Sequence, residues 1–210
     1  VLVHVDAAQA VGRVPVDFAS LGADLLSMSG HKFGGPPGTG ALVVRRGLRL
    51  PPLLVGGDQE RARRAGMENV PALVGLGAAA AELAATLPEE RARCERLTGR
   101  LADWAAGTEG VELLGHPTER LPHLVCLGIE GVEPQPVLLG LDRVGVAVHS
   151  GSSCSSEALE PSPVLEAMGV DAQRSLRVSV GWSSTEADLD RLLEALPSVI
   201  DSLRALRRSG

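Results

Sequence analysis

The chain has 210 residues, 22% of them charged, and a formal net charge of −6, which offers no general attraction to nucleic acid or to an anionic membrane surface. Its three cysteines, Cys94, Cys126 and Cys154, are too few and too unevenly spaced for a disulfide scaffold or a zinc site, so no metal is expected. No apolar run reaches the roughly 18 residues that span a bilayer and no secretory signal opens the chain, so a reducing, cytoplasmic setting and no membrane contact are expected.

In chain order, residues 1–5 read as a buried strand ending at Asp6, with a helical turn over 7–10. A strand of that apolar character belongs inside a sheet covered on both faces, so the start at Val1 points to a missing upstream part, on the same gene product or on another chain. Ligands of open α/β sheets gather beyond the carboxyl ends of the strands, which makes Asp6 and Gln9 candidates for a site. They stand three residues apart on one turn; an aspartate that only caps the turn is the other reading.

A short helix over 17–21 leads to a strand over 23–27 and then to Ser27, Met28, Ser29, Gly30, His31, Lys32, Phe33, Gly34 and Gly35. Of 20 basic residues, Lys32 is the one lysine. An amine can condense with an aldehyde where a guanidinium cannot, and the preceding apolar run presents Lys32 at a sheet edge. A plain surface lysine is the alternative. Residues 33–40, with four glycines and two prolines, exclude regular structure and let the backbone pass close to something bulky. A strand resumes over 40–44.

The polar stretch 58–69, broken by Gly66, reads as a functional loop or an interface. An alanine- and leucine-rich helix over 71–86 is expected to be well buried, with a second helix over 88–105 opening on Pro88. Cys94 in that helix and Cys126 in an apolar strand read as structural. A change of composition near 107–110 marks a domain boundary. Beyond it follow strands at 111–114 and 124–129, a helix at 136–144, and strands at 146–149 and 176–180. The last helix opens on Thr185 and Asp188, a variant capping box, carries Leu189, Leu192, Leu193 and Leu196 on one stripe, and is expected to kink at Pro197.

A second concentration of chemistry is His149, Ser150, Gly151, Ser152, Ser153, Cys154, Ser155 and Ser156. One thiol among small residues suits a nucleophile that receives a group and hands it on; a flexible linker that happens to hold a cysteine is the alternative. Arg177 stands in an otherwise apolar strand, where it serves either as a carboxylate clamp or in a structural ion pair. Lysine, aspartate, hydroxyl, imidazole, thiol and arginine together suit an aldehyde cofactor with a pyridine ring and a phosphate.

The motifs HVDAAQAVG (4–12), SMSGHKFGGPPGTGAL (27–42), GGDQERARRAGMEN (56–69), SGSSCSSEALEPSPVL (150–165) and LRVSVGWSSTEADLD (176–190), in this order, resemble the cysteine desulfurases of the class-V aminotransferase superfamily. These are pyridoxal 5'-phosphate (PLP) enzymes of fold type I. The resemblance runs from His4 to about Leu196 and is to the C-terminal portion of the family, with the N-terminal part missing. It implies an α/β fold: a partial large domain with a mostly parallel sheet over 1–106, which includes the interdomain helix, and a smaller α+β domain over 107–210.

Carried over residue by residue, the resemblance implies that Lys32 binds the cofactor covalently, that Asp6 partners the pyridine nitrogen and that Gln9 bonds the ring oxygen. Ser29 and His31 would take the phosphate, Arg177 the substrate carboxylate, and Cys154 the sulfur as a persulfide. The implied reaction converts L-cysteine to L-alanine, in a homodimer that delivers sulfur to acceptor proteins such as an iron-sulfur scaffold, and as part of a longer chain or assembly. Alternatives are selenocysteine lyase or a related class-V enzyme, and a non-catalytic subunit or scaffold. Where the family carries a threonine after the glycine at 66, this chain has Met67, whose thioether donates no hydrogen bond.

Overall fold

The computed structural model describes residues 1–151 and 162–208. The chain divides into two compact units, Val1–Glu89 and Glu90–Gly210. The first holds a three-stranded sheet in the order β1 (His4–Asp6), β2 (Leu25–Ser29), β3 (Gly40–Val44). β1 and β2 pair in parallel over three residue pairs, with Asp6 against Ser27, whereas β2 and β3 pair antiparallel over five, ending at Ser29 against Gly40.

The expected mostly parallel sheet is thereby corrected, and the connections explain why. A parallel crossover needs about a dozen residues or more, usually including a helix. Residues 7–24 leave room for one between β1 and β2, but 30–39 do not, so β3 folds straight back. Val1, Leu2 and Val3, expected inside a buried strand, precede β1 and are exposed. Residues 17–21 form a turn rather than a helix, with the Ser20 amide donating to Asp17 Oδ1 at 2.8 Å.

Side-chain alternation makes the two faces of this sheet unlike. Leu26, Met28 and Val43 line an apolar groove together with Ala80, Leu83, Ala84 and Leu87. His4, Asp6, Ser27 and Ser29 occupy the opposite, polar face, where His4 Nε2 lies 3.1 Å from Ser27 Oγ.

The polar stretch contains one turn, α1 (Gln59–Ala62), in which Glu60, Arg61 and Ala62 are all left-handed (φ 51°, 60° and 59°). Next comes α2 (Val70–Ala106), one 37-residue helix in place of the two expected. Pro88 inside it forfeits one backbone donor, at a cost of about 3 kcal/mol, which the strong helix formers on both sides offset. The first half of α2 is not buried as expected: Val70, Leu73 and Val74 are exposed. That half also contains an 18-residue window long and apolar enough to cross a membrane, by length and composition alone, where the sequence suggested none.

In the second unit β4 (Val111–Leu114), β5 (Leu124–Ile129), β6 (His149–Ser150) and β7 (Ser175–Ser179) form an antiparallel sheet in the order β4-β5-β7-β6. Three helices accompany it: α3 (Pro134–Asp142), α4 (Pro163–Ala167) and α5 (Glu186–Arg208). Val125, Leu127, Ile129, Leu176 and Val178 alternate onto one sheet face and join one core with Leu97 and Leu101 of α2, Val137 and Leu141 of α3, and Leu189, Leu192, Leu196 and Ile200 of α5. Pro197 lies within α5 without ending it. The expected strand at 146–149 shrinks to two residues because the Val146 amide is held by the Leu141 carbonyl (3.0 Å) after a left-handed Gly145.

Candidate active site

The parallel β1–β2 pair ends both strands at the same sheet edge, and the candidates of the first unit follow those ends. Asp6 closes β1, and its Oδ1 accepts the Ala8 amide at 2.9 Å. Gln9 stands in the turn that follows, where the Ala10 and Val11 amides both donate to the Ala7 carbonyl (3.0 Å each). The Asp6 and Gln9 side chains are exposed.

β2 ends at Ser29 and gives way to a 3-10 turn, Gly30–Phe33, that carries His31 and Lys32. Ser29 Oγ and His31 Nδ1 lie 2.9 Å apart, so a hydroxyl and an imidazole are already paired at this edge. Glycine shapes the turn. Gly34 is left-handed (φ 94°) and caps it through its amide to the Gly30 carbonyl, and a Cβ on Gly30 would collide with Thr39 Oγ1. The Gly30 amide donates to the Thr39 carbonyl (2.8 Å), and Thr39 Oγ1 to the Pro36 carbonyl (2.5 Å), which ties residues 36–39 to the start of the turn that carries Lys32. Arg13 Nη2 donates to the Lys32 carbonyl at 3.5 Å while the Lys32 side chain remains exposed.

Thr39, Arg13 and Ser27 were not singled out by the sequence. Their contacts cross from 9 to 23 positions of chain, and only the glycine- and proline-rich run around Thr39 hinted at one of them.

In the second unit Arg177 lies mid-strand in β7, half-buried, directly opposite Cys126 of β5 and His149 of β6. Burial pushes the Cys126 thiol up from its ordinary value, against the pull of the Arg177 charge. The structure thus brings Asp6, Gln9, Ser29, His31 and Lys32 to one edge of the first sheet and places Arg177 in the second. Cys154 lies outside the described residues. Among the described residues there is no cluster of His, Cys, Asp and Glu that could hold a metal.

The family model for class-V aminotransferases matches residues 1–192. The chain belongs to that family. Cysteine desulfurase IscS of Methanosarcina thermophila is 46% identical to this class-V chain over 204 residues, 96% of the chain and 50% of its own length. Cysteine desulfurase IscS 1 of Archaeoglobus fulgidus is 44% identical over 206 residues, 97% of the chain and 54% of its own. The NifS-like protein of Rickettsia africae has the same fold, with a TM-score of 0.84 at 31% identity over 94% of this chain and 53% of its own.

The chain therefore spans about half the length of the curated relatives it matches. The expected confinement to a C-terminal portion, with the N-terminal part missing on the same or another chain, is corrected. The family match begins at the first residue, and the relatives align over 96% to 100% of the chain.

Proposed function

We propose that this class-V chain acts in a PLP-dependent cysteine desulfurase, which converts L-cysteine to L-alanine in the cytoplasm and passes the sulfur to an acceptor protein such as an iron-sulfur scaffold. One observation carries the reading: the β1–β2 edge collects an amine, a carboxylate, an amide and a paired hydroxyl and imidazole, in a chain whose relatives are cysteine desulfurases.

That donor set fits the cofactor. Ser29 and His31 suit a phosphate, the Asp6 carboxylate a protonated ring nitrogen, the Gln9 amide a ring oxygen, and the Lys32 amine an aldehyde carbon. When bound, PLP supplies an electron sink for the pair left behind as the substrate α-proton departs. Lys32 Nζ would hold the aldehyde carbon, and as a free amine it would accept the substrate α-proton. Asp6 keeps the proton on the ring nitrogen by its negative charge. Arg177 holds the substrate carboxylate, which fixes the direction of the substrate thiol. The Cys154 thiolate would attack the substrate sulfur: the carbon–sulfur bond breaks with its electron pair left on the β-carbon, a sulfur–sulfur bond forms as the persulfide, the β-carbon takes up a proton from solvent, and the α-carbon regains one from the Lys32 amine to give L-alanine. Met67, highly exposed, provides no hydrogen-bond donor for the phosphate, so that donor is lost or comes from elsewhere.

The visible absorption spectrum of the full-length protein loaded with PLP tests this reading. The expected result is an absorption band that shifts when L-cysteine is added, with alanine and sulfide formed in equal amounts under a reductant. Lys32→Ala should abolish the band and lower kcat by about 10²–10⁴-fold. No band after incubation with PLP, or a wild-type protein that forms no alanine, would overturn the assignment.

A further inference from the structure

We infer that the Thr39 hydroxyl is the clasp that closes the loop carrying Lys32, which makes Thr39 a positioning residue for the amine. The inference rests on the proposed role of Lys32 in binding PLP. The loop leaves β2 at Ser29 and enters β3 at Gly40, and these two residues are in cross-strand register, so both of its ends are anchored. Within it, Pro36, Pro37, Gly38 and Thr39 make a tight turn, in which Pro37 precedes a left-handed Gly38 (φ 80°). That is the residue order a type II turn requires. The Thr39 amide donates to the Pro36 carbonyl at 3.3 Å, the long end of the range for such bonds. The Thr39 hydroxyl donates to the same oxygen at 2.5 Å and is the closer of the two closures.

From this turn the hold passes to Lys32 through backbone. The Thr39 carbonyl accepts the Gly30 amide at 2.8 Å, and the Gly30 carbonyl accepts the amides of Gly34 and Gly35, the latter at 2.9 Å. Gly30 thus joins the clasp to the far end of the 3-10 turn, and Lys32 lies between. The start of α2 packs on the same loop. A Cβ on Gly30 would stand 2.8 Å from Leu76 Cδ1, one on Gly35 3.1 Å from that same atom, and one on Gly75 2.7 Å from Pro36 Cγ. The Lys32 side chain itself is exposed, so its place is set by the backbone that carries it. A change at the Thr39 hydroxyl therefore reaches the amine through Gly30.

The test uses the full-length protein with Thr39→Val, an isostere without the hydroxyl, Thr39→Ser, which keeps it, and Lys32→Ala. Two quantities are read. Amide hydrogen exchange over residues 30–39 of the PLP-free protein reports the clasp alone. The rate at which the absorption band appears on adding PLP, with the Kd from its titration, reports the amine. Thr39→Val should speed exchange about three- to tenfold, slow band formation and raise Kd by similar factors, as for the loss of one ordinary hydrogen bond. Thr39→Ser should restore all three.

If exchange quickens in Thr39→Val while band formation and Kd stay at wild-type values, the positioning role is wrong and the Lys32 assignment stands. Unchanged exchange would show that the hydroxyl closes nothing. If Lys32→Ala still forms the band, the assignment of Lys32 falls and the inference with it. A lowered melting temperature with weakened PLP binding, not recovered by Thr39→Ser, would show a merely structural role.

Discussion

At Gly40 a methyl group would stand 2.5 Å from the Met28 carbonyl oxygen, across the antiparallel pairing that returns the chain after the lysine turn. The obstacle is backbone, which cannot swing aside as a side-chain tip can. Gly40→Ala should therefore destabilise the protein by about 1–3 kcal/mol, as overpacked sites do, and should weaken PLP retention in the same variant because β3 anchors the turn that carries Lys32. Denaturant unfolding and cofactor titration check the two effects. At this scale much was legible: Asp6, Gln9, Ser29, His31 and Lys32 stand close together in two short stretches, so local composition exposes them. The neighbours of Arg177 were not legible, because Cys126 and His149 reach it only through strand pairing over 51 and 28 positions of chain.

Among the elements, α1 holds three consecutive non-glycine residues in the left-handed region, where each L-residue costs about 1–2 kcal/mol. Ala62→Gly removes one such clash and incurs the smaller chain-entropy cost of glycine, about 0.5–1 kcal/mol. The expected outcome is a net stabilisation of up to about 1 kcal/mol, seen as a rise in Tm of roughly 2–4 °C for a chain of this size. A fall in Tm would mean that the turn is not held in this conformation in solution. The sequence marked 58–69 as irregular through its polar density and Gly66, but strain of this kind has no composition signature. The same limit applies to α2: Pro88 is a start signal by propensity, yet the long-range packing of Cys94, Leu97 and Leu101 in the core carries the helix through it.

Across the second unit, arginines of α2 fasten the N-terminal end of α5. Arg93 pairs with Glu90 and donates to the carbonyls of Gly181 (2.6 Å) and Ser184 (2.5 Å), while Arg100 bridges Glu186 (2.7 Å) and Asp190 (2.6 Å). Hydrogen bonds from Arg100 and Arg96 hold the Glu186 carboxyl below its usual range, and the Thr185 amide and hydroxyl do the same for Asp188. Both folded values lie below the unfolded ones, so this stabilisation is fully present above the ordinary carboxylate range, about pH 4, and is lost as pH falls through the lowered values. Tm should accordingly decline on acidification, and Glu186→Gln should reduce the pH dependence. Both groups are exposed, so added salt should shrink the Glu186 part.

Sequence alone placed Asp6, Gln9, Ser29, His31 and Lys32 in two short stretches and marked the helix stripe Leu189, Leu192 and Leu196, since each depends on residue type and short spacing. Tertiary structure decided the sense of the first sheet, the single long α2 and the row Cys126, Arg177, His149. Strand sense and register are set by which distant segments can pair once connections and cores are satisfied, and no local pattern encodes that choice.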